Sequence, residues 1–443
     1  MPDSAPHLPL SSLTVAEAST PDAAFEERVY RRVTLRLIPF LFVCYVVAYL
    51  DRVNVGFAKL QMLDELHMTD TAYGIGAGIF FIGYFLFEVP SNLILHRTGA
   101  RVWIARIMIT WGILSAATML VRTPAQFYII RFLLGVAEAG FFPGMIFYLT
   151  QWFPAARRAR IIALFMTAVA VSGVIGGPLS GWILNTMAGV NGWAGWQWLF
   201  LLEGIPSVLM GVAVFFYLDD SIESSRWLPH DERLLLKSNL SLEPQGIEHT
   251  SVLATLRDRR VLLLAALYFC FVMGSYGVAF WLPQLIKTMG VLDAGRIGRL
   301  SAIPYLVATV SMVLMGRSSD LRRERRWHLV AGAVVGAIGL IAAGLFSTNL
   351  VIGLSAMCLA VSGALSVAPL FWTLPTSLLR GASAAAGIAV INSIGNLAGF
   401  LGPYMIGVIR DATGEATLGL YAIAAFMLTG ALLAIVATRP RSA

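Results

Sequence analysis

Apolar stretches long enough to cross a bilayer core of roughly 30 Å, for which about twenty helical residues suffice, recur along the whole chain. In the first half they fall near 36–58, 71–95, 102–121, 125–150, 160–188 and 197–218. A long polar interruption follows at 219–260, carrying Asp219, Asp220, Glu223, Arg226, Asp231, Glu232, Arg233, Arg257, Asp258, Arg259 and Arg260. Beyond it, six more apolar runs fall near 261–288, 296–315, 328–346, 350–377, 384–410 and 416–437. This predicts an all-α polytopic membrane protein with twelve transmembrane helices in two pseudo-symmetric six-helix halves, 36–218 and 261–437. A tail at 1–35, a linker at 219–260 and a tail at 438–443 complete the division.

Sliding one half on the other by about 225 positions aligns His96 and Arg97 with Asp320, Pro143 with Pro369, and Gly177 and Pro178 with Gly402 and Pro403. Parallel duplication is the economical reading, and it places a site near the midplane between two halves that rock against each other. The charges do not repeat. Asp51 maps to Tyr276, and Arg131 and Glu138 map to the neighbourhoods of Ala356 and Gly363. The first half thus holds titratable groups, while the second offers neutral ones: Tyr268, Tyr276, Trp281, Gln284, Trp372, Asn392 and Asn396.

Composition sharpens this picture. At 58% hydrophobic and 13% charged residues with a mean hydropathy of +0.75, the chain is no ordinary soluble globule. With the N-terminus inside, about 24 of the 32 Lys and Arg fall in internal segments and about 6 in external ones. Both termini are therefore expected in the cytoplasm, with no signal peptide visible in the polar first 32 residues. The net charge of +7 then reflects basic inner loops beside anionic lipid and calls for no nucleic acid. Cys44, Cys270 and Cys358 read as buried filler, and all six histidines fall in loops or at span ends. Neither a phosphate-binding G-x-x-x-x-G-K-[ST] loop nor a metal-ligand spacing is present, so neither metal nor cofactor is expected, and a monomer suffices.

Asp51, Arg52, Arg131 and Glu138 are the exceptions to the apolar pattern. Each charge at a helix centre costs roughly 2.5 to 3.5 kcal/mol unless it is paired, hydrated or used. Counting 1.5 Å per residue puts Asp51 and Arg131 each roughly 10 Å below the outer surface, an expected ion pair, with Glu138 two turns deeper near the midplane. Alternating proximity to Arg would load and unload a proton on a semi-dry carboxyl. Arg52 shares a face with Tyr49 and Tyr45, and its planar fork of donors suits a carboxylate, so it is the expected anion anchor. Tyr84 and Glu88 lie one turn apart in the second span, where Glu88, before Pro90, Ser91 and Asn92, is placed at a gate. Gly74, Gly76, Gly78, Gly83, Gly387, Gly395 and Gly399 read as close-packing positions, and Trp193, Trp196 and Trp198 as interfacial anchors.

Several segments carry a resemblance: YLDRVNVGFA at 49–58, FEVPSNLILHRTGAR at 87–101, RFLLGVAEAGFFPG at 131–144, GWQWLFLLEGIPS at 195–207 and AGIAVINSIGNLAGFLGPYMIG at 386–407. The chain resembles the major facilitator superfamily and, within it, the anion:cation symporter branch of bacterial organic-acid permeases. That resemblance implies proton-linked Asp51 and Glu138 with Arg131 as partner to the acids. It implies substrate contacts at Tyr49, Arg52, Tyr84, Trp372 and Asn392, to which Tyr268, Tyr276 and Asn396 are added as lining candidates. Gating is expected of Glu88, Arg97, Arg101 and Asp320. Two departures stand out: His96 replaces the Asp usual before the loop Arg, and Tyr268 stands where sugar-acid permeases place an amide.

The expected function is import of a small organic carboxylate (a hydroxy, sugar or aromatic acid) with protons by alternating access. Two rivals remain. Gly173, Gly176, Gly177, Pro178 and Gly181 resemble the span-five signature of drug-exporting antiporters, though Arg52 opposes a cationic cargo. A non-transporting nutrient sensor would signal through the 219–260 loop. No nucleophile and base lie at recognisable spacing for an enzyme.

Overall fold

The computed structural model describes residues 23–241, 257–378 and 382–438. The expected tails at 1–22 and 439–443, the linker centre at 242–256 and residues 379–381 lie outside this set, as does the side chain of His96. The first half contains α1 (Ala23–Glu65), α2 (Asp70–Thr98), α3 (Ala100–Ala117), α4 (Pro124–Glu138), α5 (Phe141–Thr150), α6 (Ala155–Met166), α7 (Ala168–Thr186) and α8 (Gly195–Tyr217). A linker helix, α9 (His230–Ser241), follows. The second half contains α10 (Arg259–Thr288), α11 (Ala294–Arg322), α12 (Arg326–Leu345), α13 (Leu350–Phe371), α14 (Thr373–Leu378), α15 (Ala382–Asn396), α16 (Ala398–Thr413) and α17 (Thr417–Ala437).

Among the described residues eleven segments are long and apolar enough to cross a membrane, and the pair α15 and α16, split at Leu397 into helices of 15 and 16 residues, supplies the twelfth crossing. Four expected spans are broken rather than continuous: the fourth and fifth of each half. The fourth breaks at Ala139 and Gly140, where Gly140 has φ +87°, a left-handed conformation that a side chain would strain. A Cβ there would also stand 2.3 Å from Ser91 Oγ. The tenth breaks at Trp372, just after Pro369. Broken helices in the same places of both halves fit the duplication read from the sequence.

The first helix starts earlier than the expected span. At 43 residues, α1 runs roughly 64 Å, twice the bilayer core, so its first turns project beyond it. There Val29, Tyr30 and Val33 are buried, Arg32 pairs with Glu232 of α9 at 2.8 Å, and Tyr30 Oη accepts from Asn239. The linker helix is thereby fastened to the end of the bundle where α1 begins, called here the near end.

Among the described residues, two glycine-lined seams join the halves. Along one, α2 meets α16: a Cβ on Gly74 would lie 2.6 Å from Pro403 O, and one on Gly407 2.4 Å from Asp70 O. Along the other, α7 meets α11, with a Cβ on Gly298 falling 2.2 Å from Gly177 O. Small residues let these backbones touch, and dispersion over the close contact replaces the hydrophobic drive that lipid cannot supply. The two seams exchange under the sequence offset, since span two corresponds to span eight and span five to span eleven.

Candidate functional site

The break after Glu138 ends α4 at the level of Arg52, and the two side chains form a buried ion pair through Arg52 Nη2 and Glu138 Oε1. The other Arg52 amino group donates to Tyr276 Oη of the second half at 2.8 Å. The guanidinium also lies over the rings of Phe80 and Tyr84, each 5.5 Å away, and of Tyr49 at 6.0 Å. A cation in a largely dry site is thus neutralised by one carboxylate and cradled by aromatic faces, whose quadrupoles favour it. Tyr49, Arg52, Tyr84, Glu138 and Tyr276 converge on one point between the halves. A small enclosed cavity of about 10 Å³ beside Tyr49 is lined by Ser275, Tyr305 and Ala364.

One turn along α2 from Tyr84, the Glu88 carboxylate crosses to the second half. Asn392 Nδ2 donates to one of its oxygens at 2.6 Å and Ser393 Oγ to the other at 2.7 Å. Asn396 is buried one turn further along α15. Tyr268 stacks on Phe371 at 4.8 Å and meets Trp372 edge-on at 4.9 Å, pressed against Gly395. These aromatic groups thus pack against α15 at Gly395, about one turn from Asn392.

The expected ion pair of Asp51 with Arg131 does not form. Asp51 accepts from Trp111 Nε1 at 2.7 Å, Ser115 Oγ at 2.8 Å and Ser207 Oγ, all within the first half. Arg131 donates to the backbone carbonyls of Gly76 at 3.4 Å and Ala77 at 3.3 Å. Equal depth does not bring two residues together when one faces α3 and α8 and the other faces α2; helix rotation about its own axis decides. Arg52 is thus the guanidinium that meets Glu138.

Of the near-end residues, Arg101 binds Asp220 through its main-chain N–H at 3.0 Å and its guanidinium at 3.2 Å. Asp320 pairs with Arg325 within the turn between α11 and α12, and Arg97 is exposed. Each of these contacts stays inside its own half or the adjoining linker. Beyond the central Arg52–Tyr276 bond, ties between the halves lie instead at Glu88 and at the opposite, far end. There Lys59 pairs with Asp70 at 2.6 Å and sits 3.0 Å over the Trp281 ring, while Arg410 of the second half reaches Asp70 at 3.0 Å. Asp411 accepts from the main-chain N–H of Asp70 and Thr71 at 3.1 and 2.8 Å, so the second half caps the first turn of α2.

Sequence reasoning missed Lys59, Asp70, Arg410 and Asp411. Lys59 was legible as a cation just past the end of the first apolar run, but its contacts were not, since the Trp281 ring lies 222 positions away. It also missed Glu203, a buried acid on α8 that accepts from Ser180 at 2.7 Å. Among the described residues no cluster of His, Cys, Asp or Glu could hold a metal ion.

A sequence profile of the Major Facilitator Superfamily matches residues 41–403. The chain belongs to the Major Facilitator Superfamily. It is 50% identical over 417 residues to a protein of Agrobacterium vitis named as a tartrate transporter, covering 94% of this chain and 92% of that one. A quinolone resistance transporter of Acinetobacter baumannii is 44% identical over 412 residues, covering 92% and 94%. The fold is that of a bacterial homologue of the lysosomal transporter Spinster, with a TM-score of 0.72 at 18% identity over 93% of this chain and 97% of that one. The protein is a membrane transporter, not an enzyme.

Proposed function

We propose that this transporter carries a small organic carboxylate into the cell together with protons. The observation that supports the reading is the buried Arg52, held by Glu138 of its own half and Tyr276 of the other. A fixed guanidinium at the junction of the halves suits a carboxylate, and its competitor for that carboxylate is Glu138. A proton on Glu138 weakens its hold on Arg52 and frees the fork for the substrate; loss of the proton restores the pair and expels the anion. A proton is needed for accumulation because an inside-negative potential opposes each negative charge by roughly 2.3 kcal/mol per 100 mV. The excess of Lys and Arg in the segments at the near end supports an orientation with that end facing the cytoplasm of a bacterial inner membrane and the Lys59 cluster facing outward.

Uptake of labelled tartrate into proteoliposomes under an imposed pH gradient tests the proposal: accumulation above equilibrium is expected and should collapse when the gradient is dissipated. Equal uptake with and without the gradient would refute proton coupling. A second reading, export of an acidic drug, is favoured by the relative named for quinolone resistance. Quinolones bear an aryl carboxylate, which Arg52 could equally anchor. Norfloxacin accumulation in everted vesicles, with no tartrate uptake into right-side-out ones, would favour this alternative.

A further inference from the structure

The carboxylate of Glu88 is only 1% exposed and both of its oxygens accept from the second half, one from the Asn392 amide and one from the Ser393 hydroxyl. Among the described residues no Lys or Arg forms an ion pair with it, and the cation whose charge reaches it, Arg52, is engaged by Glu138 and Tyr276. Tyr84 on its own helix and Tyr268 of α10 complete the nearby titratable groups. Arg106 of α3 and Arg131 of α4 are committed to main-chain carbonyls, of Ala137 and of Gly76 and Ala77. Arg410 and Asp411 of α16 belong to the far-end cluster. The arrangement at Glu88 repeats that at Arg52: a donor set that fits one carboxylate, filled by a carboxylate of the protein itself.

We propose that Asn392 and Ser393 form a second carboxylate subsite, that Glu88 is its internal occupant, and that the transported acid is therefore a dicarboxylate. This rests on the reading that Arg52 anchors a substrate carboxylate. An amide and a hydroxyl aimed at two oxygens of one group are the donors that a planar carboxylate needs, and Tyr84 spans the gap between this pair and Arg52. A dianion bridging the two donor sets displaces two internal carboxylates. Neither can remain charged and unpaired in a dry chamber, because a buried charge without a partner is costly. Each displaced acid takes one proton, and because two protons and one dianion together carry no net charge, loading leaves the charge of the chamber unchanged. Because Glu88 ties the halves together at the same time, its displacement also removes a strap across the near end. Substrate binding and loosening of that end become a single event.

Binding to the purified full chain tests this with L-tartrate and L-threonate, four-carbon acids that differ by a second carboxylate against a hydroxymethyl group. Tartrate is expected to bind at least about tenfold more tightly than threonate, the scale of one charge-assisted hydrogen-bonded pair. Its affinity should rise with falling pH with a slope one proton steeper than that of Glu88→Gln, which mimics the protonated acid and should bind tartrate more tightly at alkaline pH. Ser393→Ala should weaken tartrate about tenfold and leave threonate unchanged, which keeps the test decisive if Glu88→Gln does not fold. Equal affinity for the two acids, or an unaltered pH slope in Glu88→Gln, would overturn the dicarboxylate subsite while leaving the carboxylate reading intact. Failure of the wild-type protein to bind either acid would remove both.

Discussion

At the scale of single residues, what matters is which polar atoms a buried charge finds. Arg52 has an acid, a phenol and three aromatic faces around it, and its two engaged amino groups match the geometry of a planar fork. Arg52→Lys should keep the charge but lose the fork, lowering carboxylate affinity by roughly tenfold or more in a titration of intrinsic tryptophan fluorescence. Glu138→Gln should abolish accumulation driven by a pH gradient while retaining exchange of labelled for unlabelled substrate, since the anion anchor survives and the proton carrier does not; unchanged gradient-driven uptake would remove Glu138 from coupling. Asp51 differs from both. Its oxygens are surrounded by the donors of Trp111, Ser115 and Ser207, and Asn in its place would turn an amide N–H₂ toward at least one of them. Asp51→Asn should therefore destabilise the first half by about 1–3 kcal/mol, visible as a lowered unfolding temperature in detergent.

At the scale of elements, helix ends and glycine contacts position the site. The α4 break after Glu138 stops the helix where its last carboxylate meets Arg52, and Gly140 makes the break at no steric cost. Gly298 decides how closely α11 approaches α7, with Gly177 O only 2.2 Å from where its Cβ would stand. Gly298→Val should push the seam apart and reduce transport to background with the protein still inserted; Gly316→Ala, on the same helix with open space around it, should be silent. Equal activity of the two variants would show that the seam is not a close-packed contact in the working protein. The glycines of α2 were expected to serve packing, and Gly74 and Gly78 do so against α16.

At the scale of the whole molecule, the halves are held together at both ends, by Glu88 with Asn392 and Ser393 at one and by Lys59, Asp70, Arg410 and Asp411 at the other. Alternating access requires the ties at each end to break in turn. Weakening the far-end cluster with Lys59→Met and Asp411→Asn together should shift the population toward opening there. A reporter cysteine at Val55, in a protein whose Cys44, Cys270 and Cys358 are replaced by Ser, should then be modified several-fold faster by a membrane-impermeant thiol reagent applied from outside; an unchanged rate would show that these charges do not hold the end shut. The crossings, their halves, the central charges and the family were all legible in the apolar runs and local motifs, because burial in lipid acts on each stretch of chain independently of the others. Helix rotation was not. Asp51 and Arg131 lie at equal depth yet face different neighbours, Arg52 rather than Arg131 meets Glu138, and Asp411 caps a helix 341 positions earlier. A sequence specifies where along a helix a charge stands, but which partner it meets depends on the azimuth at which helices pack, and only the assembled bundle sets that angle.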